Sequence, residues 1–312
     1  MRHAMLEEVR AFAPATVSNL GPGFDILGLA LHAPGDTVIA RWSGSSGVRI
    51  TRVSGDGSKL STDPTKNTAG IAAAATLRKA GLEVGVELEI EKGLPIGSGL
   101  GSSAASAVAA AFAVNVLLGS PLRKVELIEP CLEAESSIAG RHGDNVVPCL
   151  LGGLLLVRSV DPVDIVRLPV PEGLTMLVVV PDFELETRKA RAALPKQIPL
   201  ASLVKNTANV ASFISACYSG DIDLLGRCLQ DDVITPARAA LIPGADAVMA
   251  VARGCGVIGT SISGAGPSIF ALCHSPGSAK RAAAAMIAAF AAAGLAAVAH
   301  TSPLDCPGAR RI

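Results

Sequence analysis

The run Val86-Glu-Leu-Glu-Ile-Glu-Lys-Gly-Leu-Pro-Ile-Gly-Ser-Gly-Leu-Gly-Ser-Ser-Ala-Ala105 constrains this chain more than any other stretch. Val86–Glu91 alternates apolar and acidic side chains, which predicts a strand with one wet face. From Ser102 to about Leu118 the chain is alanine-rich and free of breakers, which predicts a helix. Between them lie Gly97, Gly99 and Gly101, spaced by Ser98 and Leu100. A strand, a bare-backbone loop and a helix start form an arrangement that can bind an anion. Unpaired N–H groups and the helix dipole then point at one place.

Three readings compete for the loop. A Walker A loop requires a lysine beside its last glycine, and none follows until Lys124. A dinucleotide fingerprint fits Gly99-x-Gly101-x-x-Ala104. Its strand, however, should be buried on both faces and run straight into the first glycine. Here Glu87, Glu89 and Glu91 line one face, and Lys92–Pro95 intervenes. The third reading is a structural turn whose small residues let a helix pack closely.

The rest of the chain reads as mixed strands and helices. Strands are predicted at Val9–Pro14, Thr37–Trp42, Val48–Val53, Gly152–Val157, Thr175–Pro181, Thr260–Ser263 and Ser268–Leu272. Helices are predicted at Asn67–Ala80, Leu122–Ser137, Thr187–Leu194, Leu200–Gly220, Leu224–Cys228 and Ala245–Gly254. Wet-faced strands favour α+β with antiparallel sheets over a doubly wound parallel sheet. The proline-rich, charged stretch Asp161–Gly173 is the expected boundary between two halves, 1–166 and 167–312.

Composition removes several function classes. Lys plus Arg equals Asp plus Glu, 27 each, so no nucleic-acid or anionic membrane partner is expected. The seven cysteines are odd in number and show no C-x-x-C spacing. They are expected as buried free thiols in a reducing compartment, the cytoplasm. Met1–Arg10 is charged and has no apolar signal region. Ala282–Ala299 is uncharged and long enough to suggest a membrane span, but alanine supplies little transfer energy. It is expected as a helix over Ser278–Ala293, a stop at Gly294, and a strand over Ala296–Thr301.

Pro95-Ile-Gly-Ser-Gly-Leu-Gly-Ser-Ser-Ala-Ala105 resembles the phosphate loop of the GHMP kinase superfamily. Two more segments resemble that superfamily in the right order, Pro14-Ala-Thr-Val-Ser-Asn-Leu-Gly-Pro-Gly-Phe-Asp25 through Leu31, and Ile262-Ser-Gly-Ala-Gly-Pro-Ser-Ile-Phe270. The first motif, Glu135–Pro148, Thr187–Pro195 and Pro236–Gly244 together are similar to the homoserine kinase branch. The likeness covers nearly the whole chain. It implies two α+β domains with the active site in the cleft between them. The N-terminal nucleotide-binding domain would be of a left-handed βαβ kind and the C-terminal domain ferredoxin-like. It also implies a homodimer.

The resemblance implies ATP-dependent phosphorylation of the side-chain hydroxyl of L-homoserine, a step of threonine biosynthesis. Arg191 and Arg238 are the candidates for the substrate carboxylate, because a guanidinium can grip it bidentately. Asp25 and Asn19 could take the ammonium, and Asn145 or His142 the hydroxyl; Thr187 joins this set. The ATP phosphates are expected on the backbone of Pro95, Ile96, Gly97, Ser98, Gly99, Leu100, Gly101, Ser102 and Ser103, with Asn67 and Lys92 near the nucleotide. The Mg2+ ligands implied are Ser103, in preference to Ser102, and Glu135. No acid–lysine pair offers itself as a base, so the hydroxyl proton is expected to pass to a phosphate oxygen or solvent. Ala139, Arg141 and Val147 depart from the branch's usual pattern without removing a proposed ligand. Two rivals are a superfamily kinase for another small alcohol and a non-catalytic nucleotide-binding relative; the intact serine pair and Glu135 speak against the latter.

Overall fold

Alternating side chains build two sheets that share a core. The computed structural model describes residues 6–138 and 140–312. The start of the charged opening, Met1–Met5, and Ala139 lie outside the described residues. In chain order the first half holds β1 (Glu8–Ser18), β2 (Leu27–Ser43), β3 (Gly47–Ser54), α1 (Thr68–Ala80), β4 (Gly85–Glu91), α2 (Ser102–Leu117), α3 (Ile128–Ser136), α4 (Gly143–Leu151), β5 (Leu154–Val160) and β6 (Val163–Leu168). The second half holds β7 (Thr175–Pro181), α5 (Thr187–Ala192), α6 (Leu200–Ser219), α7 (Ile222–Cys228), α8 (Ile234–Ala239), α9 (Ala245–Gly254), β8 (Gly259–Ile262), β9 (Ile269–Cys273), α10 (Pro276–Ala292), β10 (Ala297–Pro303) and β11 (Arg310–Arg311).

The larger, seven-stranded sheet runs β11-β1-β2-β4-β3, with β5 and β6 branching from β2. β4 is antiparallel to β2 and parallel to β3, with α1 as the crossover. Its alternation falls as expected: Val86, Leu88 and Ile90 are buried, while Glu87, Glu89 and Glu91 pair with arginines. Asn67 caps α1 by accepting from the Ala69 N–H, and Gly81 ends it at φ +68°. α2 packs on β1 and β2 through alanines that are fully buried, so small side chains replace the missing aromatics.

The smaller sheet is antiparallel, in the order β10-β7-β9-β8. β7 has no wet face, and its two faces serve different cores. Met176, Val178 and Val180 join the main core, while Leu177 and Val179 join a second core with α9 and α10. That is why its sequence reads as a continuous apolar run.

Several elements, α8 and β11 among them, escaped the sequence reading or differ from it. β2 runs through Pro34 and Gly35, which look like breakers. The expected helix Leu122–Ser137 divides into a 3-10 turn, Lys124–Leu127, and α3. α4 contains Pro148 and opens Gly-Asp-Asn, so it looks like a loop. β6 lies inside the proline-rich stretch expected to divide the chain, yet it pairs with β5. The C-terminus returns as β11 to pair with β1. The alanine-rich segment does form a helix, α10, with Gly294 beyond it at φ +83° and strand β10 after. No helix among the described residues is long and apolar enough to cross a membrane. All seven cysteines are free thiols, and all but Cys255 are buried.

Candidate active site

The glycine stretch leaves β4, turns under the first sheet and ends at the N-terminus of α2. Three sequence motifs converge on it. The Thr16 N–H of the first motif donates to the Leu100 carbonyl at 3.0 Å. From the third motif, the Ser263 hydroxyl donates to the Gly99 carbonyl at 2.8 Å and the Ser268 hydroxyl to the Ser98 carbonyl at 2.6 Å. These bonds occupy loop carbonyls. Two glycines are required by position as well as by conformation. At Gly99, φ +77°, a Cβ would stand 2.6 Å from the Ser263 carbonyl oxygen. At Gly101, φ +67°, it would strike Thr16 Oγ1 at 2.3 Å and Asn145 Oδ1 at 2.8 Å.

Beside the loop lies a cavity of about 420 Å³, walled by Gly97–Gly99, Ser103, Glu135, Asn145 and Thr187 among others. A larger cleft of about 710 Å³ opens by α7 and α9. It has neither a phosphate loop nor any expected site residue, so the loop cavity is the candidate site.

The two serines of the loop have different fates. Ser102 Oγ donates to the Leu94 carbonyl at 3.3 Å and accepts from Lys92 Nζ at 2.8 Å. The Ser103 hydroxyl is held by no such bond. Across from it Glu135 is buried, at 6% exposure, and its Oε1 has no hydrogen-bond partner. Burial pushes its carboxyl up to about 7, with the Ser103 hydroxyl pulling the other way. A buried carboxylate with one unpartnered oxygen, beside a serine hydroxyl, is costly for the protein alone and suited to a hard cation.

Lys92 is expected near the nucleotide. It lines the cavity, but its ammonium pairs with buried Asp36 and donates to the Ser102 carbonyl, Ser102 Oγ and Ser106 Oγ at 2.8–2.9 Å. No N–H remains for a phosphate. Asp36 also accepts from the Gly93 and Leu94 N–H groups at 3.0 and 3.1 Å. The pair therefore anchors the loop to β2 and α2. Asn67 is similarly committed, as the α1 cap and as donor to the Ser61 carbonyl at 2.8 Å. Leu100 is a core side chain at 0% exposure. The Pro95 carbonyl accepts from Ser98 Oγ at 2.8 Å, so neither group is free there. Ile96, Gly97, Ser98, Gly99, Gly101, Ser102 and Ser103 line the cavity.

A second cluster of polar and charged side chains forms where the first motif, α4, α5 and α8 meet. Arg191 holds Asp25 with two bonds, 3.1 and 3.0 Å. His142 Nδ1 stands 3.4 Å from the same carboxylate. Burial holds His142 below the ordinary imidazole value, against the pull of the Asp25 carboxylate. Arg238 is buried at 2% exposure and donates to the Gly264 carbonyl at 2.5 Å. Both arginine Nε atoms are buried without partners. Asn19, φ +70°, bridges two motifs: Nδ2 donates to the Gly264 carbonyl at 3.0 Å, and Oδ1 accepts from the Asp25 N–H at 3.1 Å. Its amide oxygen, expected for an ammonium, is thus shared with the backbone turn.

Asp144 is a member the sequence reading missed. It is buried at 3% exposure in the first turn of α4. Burial first, and the neighbouring Asp25 carboxylate second, push it up to about 6. The signal lies in Gly143-Asp-Asn145, a stretch where the sequence reading places no helix. Asn145 is next in sequence. Its Oδ1 accepts from Thr16 Oγ1 at 2.7 Å, and the residue lines the loop cavity. Thr187, expected beside the substrate, opens α5 and lines the same cavity.

The site thus sets two acids and two guanidiniums in one pocket, next to an anion loop with a buried glutamate. Comparison with known proteins agrees. Residues 67–153 match the GHMP kinases N terminal domain, and residues 213–292 match the GHMP kinases C terminal domain. A homoserine kinase of Arabidopsis thaliana is 45% identical, covering 97% of this chain and 84% of that protein. A homoserine kinase of Xylella fastidiosa (strain 9a5c) is 44% identical, over 97% and 94%. The crystal structure of homoserine kinase from Cytophaga hutchinsonii superimposes at a TM-score of 0.97 with 43% identity, over 100% and 99% of the two chains. L. major mevalonate kinase, at 17% identity and a TM-score of 0.72, shares the fold. Shared motifs, fold and near-complete coverage lead to one conclusion: this chain belongs to the GHMP kinases, and within them to the homoserine kinase family.

Proposed function

We propose that the protein transfers the terminal phosphoryl group of ATP to the side-chain hydroxyl of L-homoserine, giving O-phospho-L-homoserine and ADP. The carrying observation is the pocket of Asp25, Asp144, Arg191 and Arg238. An amino acid is a zwitterion, and this pocket holds both signs of charge with two buried guanidinium nitrogens unpaired. The Asp25–Arg191 pair can exchange partners: the substrate ammonium replaces the guanidinium at Asp25, and its carboxylate replaces Asp25 at Arg191. Two ion pairs then stand where one stood, and Arg238 adds a second fork to the carboxylate. Asp144 gives the ammonium a second acceptor, and the ammonium in turn favours ionisation of that carboxyl.

The hydroxyl end of the substrate reaches toward Asn145 and the loop cavity. Backbone N–H groups of the loop and the first turn of α2 hold the phosphates. Glu135 and Ser103 fit a magnesium ion, which takes oxygen donors and few of them from protein. Held there, it would supply positive charge to offset the negative charge that builds on the phosphate during transfer. The chain's own residues position and exclude water. The substrate oxygen forms a bond to the terminal phosphorus, the bond to the bridging oxygen breaks, and ADP leaves with that electron pair. The hydroxyl proton passes to a phosphate oxygen or solvent. Asp25 is occupied by charge pairing and is not the base. Asp25→Asn should therefore raise the homoserine KM and leave kcat within about tenfold; a kcat loss of several orders of magnitude at unchanged KM would assign it as the base.

ADP release with L-homoserine, mevalonate and galactose, each with ATP and magnesium, tests the substrate. Turnover should require homoserine; preferential turnover of another alcohol would contradict the proposal. Ser103→Ala should cut kcat at least about tenfold. Ser102→Ala should chiefly lower the melting temperature, since Ser102 ties Lys92 to the loop. Equal kinetic losses in both would remove the distinction drawn between the serines.

A further inference from the structure

Phe24 occupies an unusual place for an aromatic in this chain. Only 3% of the residues are aromatic. Phe24 belongs to neither hydrophobic core, although the flanking Ile26 packs against the main one. It sits half-buried in the turn that ends at Asp25, φ +61°. Its ring lies 5.2 Å from the Arg191 guanidinium carbon and 5.2 Å from that of Arg238.

We infer that Phe24 is a positioning residue: its aromatic ring pins both guanidiniums and so sets how strongly the pocket holds a carboxylate-bearing amino alcohol. This rests on the proposed function. The physical need comes from crowding two like charges in a half-dry pocket. Arg191 has a carboxylate partner in Asp25, which the substrate displaces. Among the described residues Arg238 hydrogen-bonds only to the Gly264 carbonyl, with the Asp25, Asp144 and Asp231 carboxylates favouring its charge from farther off. Burial and the nearby Arg191 pull Arg238 down to about 10, more than the Asp25, Asp144 and Asp231 carboxylates offset. The negative face of an aromatic ring attracts a cation without accepting its N–H groups. The ring therefore offsets part of the repulsion and fixes each guanidinium plane, while leaving donors free for a carboxylate. An aliphatic side chain fills the same space but carries no such field.

Steady-state kinetics of Phe24→Leu, Phe24→Met and Phe24→Tyr separate this role from packing. Leu and Met should raise the homoserine KM about tenfold or more, with kcat within about threefold and ATP KM unchanged. Tyr keeps the ring and should stay within about threefold of the parent. An unchanged homoserine KM in Leu and Met, equal losses in kcat and ATP KM, or a Tyr variant as impaired as Leu would each overturn the inference. A readout without substrate keeps it separable from the functional proposal. Hydrogen exchange at the arginine Nε–H groups, followed by NMR on the ligand-free protein, should quicken in Leu and not in Tyr; unchanged exchange in Leu overturns the inference. Absence of homoserine turnover in the parent would instead count against the proposed function alone.

Discussion

Replacing Glu135 with Gln is expected to lower kcat at least about 100-fold and yet make the ligand-free protein more stable above pH 7. Both effects come from one observation, a buried carboxylate with an unpartnered oxygen. In the folded protein its carboxyl is pushed from 4.5 up to about 7. Between those values the folded state binds more protons than the unfolded state. Stability is therefore lost as pH rises through this window, and the loss is complete above about 7. A shift of this size corresponds to roughly 3 kcal/mol at pH 8. Gln stays neutral and avoids that loss, so its advantage should grow from pH 5 to pH 8. Denaturant unfolding at both pH values measures it. A cation needs the ionised carboxylate, so magnesium affinity of the parent should rise over the same window. A Gln variant with parental turnover would show that Glu135 does not serve the phosphates.

The second large effect is expected at Lys92. Its side chain is 2% exposed and that of Asp36 is 0% exposed. Lys92→Met would leave Asp36 charged and buried without its counter-ion, at a cost of about 3–5 kcal/mol. That is a large part of the roughly 5–15 kcal/mol that holds a typical domain folded. Adding Asp36→Asn should recover part of it, because the uncompensated charge is gone while Gly93 and Leu94 keep an acceptor. The double variant should also show a raised ATP KM, since the loop start loses its tie to α2. If the two losses simply add, or if Lys92→Met unfolds at the parental denaturant concentration, the ion pair is not the anchor described here.

How far the sequence reveals this protein depends on what each residue answers to. Local patterns carried β4, α1, α2, β7 and α9, because apolar spacing or a cap sets them and the tertiary contacts agree. The loop was legible for the same reason: its glycines record backbone shape. β2 was under-read, since Pro34 and Gly35 interrupt its sequence while neighbouring strands maintain its pairing. α4 was hidden because Pro148 and Gly143 are poor helix formers, and packing against β1, β2 and β5 outweighs them. That omission concealed Asp144. For Lys92 the sequence indicates a place near the nucleotide, and only the fold shows Asp36 arriving from β2 to claim its ammonium. Phe24 offered no signal at all, since its arginine partners lie more than a hundred residues away in sequence.

The central claim is that an amino acid zwitterion takes the place of the Asp25–Arg191 pair, with its hydroxyl toward Asn145 and the loop. A crystal structure with L-homoserine and a non-hydrolysable ATP analogue tests it most directly. The account predicts the carboxylate between Arg191 and Arg238, the ammonium at Asp25 and Asp144, and the analogue's phosphates on Gly97–Ser103. An intact Asp25–Arg191 bond, with the carboxylate bound elsewhere, would contradict it.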